Sequence, residues 1–277
     1  MRRIYLLFFI AVFFFGCGGH SSSGDYDTSV PMPSNIPPPA PVIYKVINTY
    51  PHDSTSFTQG LEFYNGKLYE GTGEEKQSKI RIVNLKTGIP EFSHTLSDPK
   101  IFGEGITILN GKLYQLTWQN NKIFEYNLKD LSTPVKTYAW PKEGWGATNN
   151  GREIIISDGT SNLYFVTPDE KSNEMKVNKI LSVKNNMGPV DSLNELELIN
   201  GYVYANRWLT SQIVKIDTTT GNVTGVMDFT GIMRQYDPSA VLQDGSVLNG
   251  IAYDSTTKKI FITGKDWPKV FEIELMP

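Results

Sequence analysis

The chain has 277 residues, 39% of them hydrophobic and 12% aromatic, enough apolar bulk for one large all-β domain or two average ones and too much for a disordered chain. A net charge of −3 with no basic run gives no electrostatic case for nucleic acid. One cysteine, Cys17, excludes an intrachain disulfide, and three histidines (His20, His52, His94) leave little with which to build a zinc hydrolase, whereas a carboxylate-held structural calcium stays open.

MRR supplies a positive start, IYLLFFIAVFFF an apolar run, and Gly16 a small residue before the cysteine. That is the layout of a secretory signal, too short for a membrane span of about 20 residues. The Gly-Cys junction resembles a bacterial lipoprotein processing site, so residues 1–17 are expected to be a signal that ends in a lipid on Cys17. The chain would then be exported and held at the cell envelope, on its periplasmic or surface face. The bland alternative is a plain signal peptide with an incidental cysteine. Residues 18–41, GGHSSSGDYDTSVPMPSNIPPPAP, lack the apolar bulk to fold and read as a tether.

From Val42 onward, short β-rich runs alternate with turn residues and no convincing helix is seen. VIYKVINTY (42–50) is the first strand-like run. An NGKLY element follows at 65–69 and again at 110–114, as NGREI at 150–154, NGYVY at 200–204 and, more loosely, TKKIF at 257–261. Asn-Gly between two strands predicts a type I′ hairpin turn. Each copy runs on into a third strand: KIRIVNL, KIFEYNL, NLYFVTP, QIVKIDT or KVFEIEL. Five copies of about 47 residues predict a five-bladed β-propeller of four-stranded antiparallel blades over 42–277, the N-terminal strand closing the last blade. A β-sandwich is the rival, but it does not require five matched hairpins.

Aligned on the hairpin turn, the copies agree in frame and diverge at two points. The first ring, just before each innermost strand, reads Gln59, Glu104, Trp145, Asn194 and Asn249. The second, at the end of the next strand, reads Gly73, Trp118, Asp158, Trp208 and Lys265. Three tryptophans with a carboxylate, amides and a lysine suggest a pocket for a partly apolar, partly polar ligand. Asp158 is open between the ring and a turn role, and Asn249 between the channel and backbone support. His52 and His94 read as surface residues in connecting loops. Trp140 and Trp267, outside both rings, read as packing.

FTQGL (57–61), FGEG (102–105), LTW (116–118), EGWG (143–146), LNELE (193–197), NRW (206–208) and ITGKDWPKVFEIEL (262–275) resemble the glutaminyl-peptide cyclotransferases of the plant and bacterial type. The resemblance runs from about residue 43 to the C-terminus. It implies a five-bladed propeller that converts N-terminal glutamine of peptides and proteins to pyroglutamate with release of ammonia. Such an enzyme is an acyltransferase with no required cofactor and no catalytic zinc, and the expected state is a monomer. By the same resemblance Glu104 is the catalytic acid/base, and Phe57, Gln59, Phe102, Trp118, Trp145, Asn194, Trp208 and Lys265 form the pocket. Asn194 and Lys265 are candidates to stabilise charge on the γ-oxygen, and Gln59 is expected to hold the substrate. Asp266 departs from the family pattern, leaving a second reading of Lys265 as a surface cation paired with it. The rival function is a non-catalytic aromatic-cage binding propeller on the envelope. A metal-dependent propeller lactonase ranks lower, since the rings offer only two carboxylates.

Overall fold

The structure, a computed structural model, describes residues 35–276. The signal, Cys17 and most of the tether lie outside the described residues.

Asn-Gly turns set the local pattern. Asn65-Gly66, Asn110-Gly111 and Asn200-Gly201 each have positive φ at both residues, the conformation a type I′ hairpin demands. Asn150-Gly151 differs: only the glycine is left-handed. There the Asn149 and Asn150 side chains accept the N–H groups of Gly151, Arg152 and Glu153, making a longer loop.

The described residues open with β1 (Ala40–Pro41) and β2 (Tyr44–Pro51). Group one is β3 (Thr58–Tyr64), β4 (Lys67–Thr72), β5 (Lys79–Val83) and β6 (Pro90–Thr95). Group two is β7 (Gly103–Leu109), β8 (Lys112–Thr117), β9 (Lys122–Asn127) and β10 (Lys136–Ala139). Group three is β11 (Ala147–Asn149), β12 (Ile154–Ser157), β13 (Asn162–Asp169) and β14 (Glu174–Ser182), followed by the small hairpin β15 (Lys184–Asn185) and β16 (Gly188–Pro189). Group four is β17 (Leu193–Ile199), β18 (Tyr202–Arg207), β19 (Gln212–Asp217) and β20 (Val223–Asp228). A short helix, α1 (Ile232–Tyr236), precedes group five, β21 (Leu248–Asp254), β22 (Lys259–Gly264) and β23 (Lys269–Leu275).

Within each group the strands pair antiparallel in chain order. Groups two and three join into one eight-stranded sheet through a single parallel contact, Ala139 to Glu174. β2 pairs antiparallel with β23, so the first long strand lies beside the last. β1 adds parallel to β20, inside the stretch read as tether. The fold is all-β.

Among the described residues, five apolar cores lie between these sheets. Tyr69 and Ile80 pack on Ile106 and Tyr126; Leu116 and Tyr138 on Ile154 and Tyr164; Phe165 and Leu163 on Leu196 and Val203. Tyr204 and Met227 pack on Ile251 and Phe271, and Leu61 and Leu68 on Ala252 and Phe261, returning to the first group. Trp140 and Trp267 are buried packing residues, as expected. The first strands follow the same cycle, β3 beside β7, then β11, β17 and β21, with β21 again beside β3. Close approach requires small residues there. A Cβ on Gly146 would lie 1.9 Å from the Asn194 carbonyl oxygen, and one on Gly60 2.4 Å from the Ile106 nitrogen.

Candidate active site

Register slips at one place in β3, β7, β17 and β21: between Thr58 and Gly60, Gly103 and Ile106, Leu193 and Leu196, and Leu248 and Ile251. Each slip falls on a first-ring residue: Gln59, Glu104, Asn194 or Asn249. A β-bulge bends the strand and re-aims its side chain. The second ring is fixed by a repeated backbone bond. The N–H groups of Gly73, Trp118, Trp208 and Lys265 donate to the carbonyls of Phe57 (2.8 Å), Phe102 (3.1 Å), Ser192 (2.8 Å) and Val247 (2.9 Å). Trp145 lies just before β11 and is held differently, its N–H donating to Ser157 O (3.0 Å) and its carbonyl accepting the Gly105 N–H (2.8 Å).

These devices bring all nine expected residues into one cavity of about 290 Å³: Phe57, Gln59, Phe102, Glu104, Trp118, Trp145, Asn194, Trp208 and Lys265, joined by Leu209 and Gly245. Glu104, Gln59, Asn194 and Lys265 are buried at its base, while Trp118 and Trp208, each 39% exposed, stand at the mouth. Phe102 meets Phe57 and Trp118 edge to face at 6.2 and 5.7 Å, and Trp145 meets Trp208 likewise at 5.3 Å.

Asn249 Nδ2 donates to Gln59 Oε1 (3.2 Å), and Gln59 Nε2 donates to Glu104 Oε1 (3.1 Å). Gln59 therefore orients the carboxylate, a contact the sequence reading did not include. Asn249 also donates to Thr58 O (2.9 Å), so it serves the backbone and the relay together. Asn194 Oδ1 is buried without a protein partner. Burial pushes the Glu104 carboxyl well above the usual range; Lys265 pulls it back and Glu143 adds to the rise. Burial likewise lowers the Lys265 ammonium, opposed by Glu104 and Asp266.

The expected alternative for Lys265, a surface ion pair with Asp266, does not form. Lys265 is buried, and its Nζ lies over the Phe57 ring at 4.5 Å from the centroid. Asp266 occupies a left-handed turn (φ 56) with its N–H on Ser56 O (2.8 Å). Asp158 accepts from the Thr160 N–H (3.1 Å) and hydroxyl, which makes it a turn residue, and it does not line the cavity.

Glu143 was not singled out by the ring alignment. Its Oε2 accepts the indole N–H groups of Trp118 and Trp145 (both 2.9 Å), and its Oε1 accepts from Gln119 Nε2 (3.0 Å). Those bonds outweigh its burial and hold it below the usual carboxylate range. The signal was present: Glu143 precedes its ring residue by two, the position of Phe57 and Phe102 in their copies.

The histidine expectation is corrected. His52 is 8% exposed, its Nε2 2.9 Å from Glu70 Oε1 and its Nδ1 2.6 Å from Trp267 O. Burial disfavours its charge, but the Glu70 carboxylate outweighs that and raises its pKa. The loop before β3 turns this residue inward, where it ties β4 to the turn that carries Lys265. His94 is half-buried within β6, not in a loop.

Residues 25–275 match the family model for glutamine cyclotransferase. A glutaminyl-peptide cyclotransferase of Arabidopsis thaliana is 39% identical over 236 residues, covering 83% of this chain and 71% of the relative. The crystal structure of Myxococcus xanthus glutaminyl cyclase superposes with a TM-score of 0.77 at 34% identity, over 86% of this chain and 98% of that one. With nearly the whole described chain inside the match, the chain belongs to the glutamine cyclotransferase family.

Proposed function

We propose that the five strand groups are the blades of a five-bladed β-propeller, with β2 completing the last, and that its pocket cyclises N-terminal glutamine to pyroglutamate. The observation that carries the mechanism is Glu104: a carboxyl sealed at the base of an aromatic-walled cavity, raised in pKa and oriented by Gln59.

The substrate's α-amine attacks its own γ-carboxamide carbon. A C–N bond closes the five-membered lactam, and the old amide C–N bond breaks as ammonia leaves. The aromatic wall folds the side chain back onto the amine and excludes water, which supplies the orientation an intramolecular attack needs. The amine, with a free pKa of about 7.7–8.0, must lose a proton to attack, and the departing nitrogen must gain one. Glu104 takes the first proton and returns it to the second nitrogen. Lys265 faces the charge that develops on the γ-oxygen, and Asn194 Oδ1 is an acceptor for a substrate N–H.

Zinc has no part in this scheme, because one carboxylate, amides, a lysine and aromatic rings are not a zinc ligand set. Among the described residues no group of three or more His, Cys, Asp or Glu is placed to hold a metal, and no step depends on a structural calcium ion. We extend the proposal to location: a signal over 1–17, lipid on Cys17, a tether over 18–41, and a monomeric catalytic domain at the bacterial envelope. Cys17→Ala is expected to move the protein from the membrane to the soluble fraction.

The direct test is ammonia release from a Gln-initiated dipeptide in EDTA, comparing the chain with Glu104→Gln. Release that survives EDTA and falls about 10²- to 10⁴-fold in the variant supports the reading. Peptide binding without release would make the pocket an aromatic-cage receptor.

A further inference from the structure

One edge of the pocket mouth carries a residue that folding does not ask for. The position after the second ring is left-handed in four copies: Glu74 (φ 76), Gly159 (φ 79), Leu209 (φ 61) and Asp266 (φ 56). Left-handed backbone favours glycine and short polar side chains, because a Cβ crowds the carbonyl. Leu209 combines that disfavoured conformation with an apolar side chain 63% exposed to water. Strain of this kind collects where a site needs it.

Leu209 also walls two hollows at once. One is the pocket. The other, about 310 Å³, has a floor of Phe229, Ile232, Met233 and Trp267 and a wall of Leu242. The two are continuous along one loop: Gly245 lines the pocket, while Ser246 and Val247 line the second hollow. Val247 O also accepts the Lys265 N–H, so the pocket base and the groove share a backbone bond. A glutamine side chain directed at Glu104 leaves the rest of its peptide at the mouth, beside Trp208 and Leu209.

We propose that the second hollow is a subsite for the side chain of the residue following the N-terminal glutamine, and that it takes an apolar one. The occupant follows from continuity with the pocket and from the apolar floor, whose burial by an aliphatic or aromatic side chain is favourable. The proposal rests on reading the pocket as the glutamine site.

The test uses the full chain and two substrates, Gln-Leu-amide and Gln-Ser-amide, with kcat/KM for ammonia release as the readout. Arg234 on the groove's lining makes an acidic second residue a poor comparison. Gln-Leu-amide is expected to be favoured about tenfold or more. Leu209→Asn, which suits the left-handed turn, and Leu242→Ser should each bring the ratio toward one. Equal kcat/KM values in the unmodified chain, or a preference that survives both substitutions, would overturn the subsite. Titration calorimetry of Glu104→Gln with the same amides keeps the two readings separable. If no ammonia is released at all, tighter binding of the leucyl amide that disappears on adding Leu209→Asn still supports the groove. Equal affinities would overturn it.

Discussion

Burial works against both ionised members of the pocket, and moves them toward each other on the pH scale. Glu104 is pushed up and Lys265 down, and each partly restores the other. Glu143, which anchors two tryptophan edges, adds negative potential and lifts Glu104 further. If Glu104 must be ionised to accept the amine proton, the acid limb of kcat/KM follows its pKa. Glu143→Gln removes a charge that raises that pKa, so the limb should move to lower pH. Lys265→Met removes the charge that lowers it, so the limb should move to higher pH, on a slower enzyme. Shifts of the same sign in both variants would sink the assignment of Glu104 as base. The sequence showed that the repeat swaps Gln59 for Glu104 at one position. It did not show that the two side chains touch, because a contact between neighbouring groups depends on where two bulges aim.

At the scale of elements, hairpins were the readable part. Asn-Gly names its own backbone conformation, and the turns at 65–66, 110–111 and 200–201 adopt it. At 150–151 the same dipeptide does not, since the Asn149 and Asn150 side chains cap the loop instead. The bulges left a weaker trace, visible only as the column where five copies disagree. Gly60, Gly105 and Gly146, next to that column, have a packing reason that one chain cannot reveal: neighbouring first strands pass backbone against backbone. Gly146→Ala would drive a Cβ into the Asn194 carbonyl. Overpacking of this kind costs about 1–3 kcal/mol, and here it displaces the strand that aims Asn194. Urea unfolding should show a lower midpoint for the variant at an unchanged slope, with a parallel fall in kcat/KM. A midpoint equal to the parent's would mean that β11 and β17 slide apart freely.

For the whole molecule, the question is what joins the first strands of neighbouring groups, which are not sheet partners of one another. Glu195 reaches two neighbours, accepting the N–H groups of Leu61 (3.1 Å) and Ile251 (2.8 Å). Glu62 accepts from Ile108 (2.9 Å) and Glu197 from Tyr253 (3.1 Å). Three buried carboxyls thus stand in for missing strand partners. Hydropathy alternation could not reveal them, because these strands are buried on both faces; every residue of β7 is buried. Burial raises all three pKa values, Glu62 to about 8, and Glu195 and Glu197 also feel neighbouring carboxylates. Between the ordinary carboxylate range and about pH 8, the folded chain therefore holds protons that the unfolded chain has released. Stability from these groups is complete below the unfolded pKa and is lost as pH rises through the folded one. Glu70, Glu125 and Glu272, whose pKa values are lowered by their cationic and hydroxyl partners against the cost of burial, act oppositely and lose their contribution on acidification. The melting temperature should accordingly fall on the alkaline side as pH passes from about 6 to 9. Glu62→Gln keeps an acceptor for the Ile108 N–H but has no proton to lose, so its melting curve should flatten over that interval. If the variant and the parent lose stability in parallel, proton release from Glu62 is not the source of the alkaline loss.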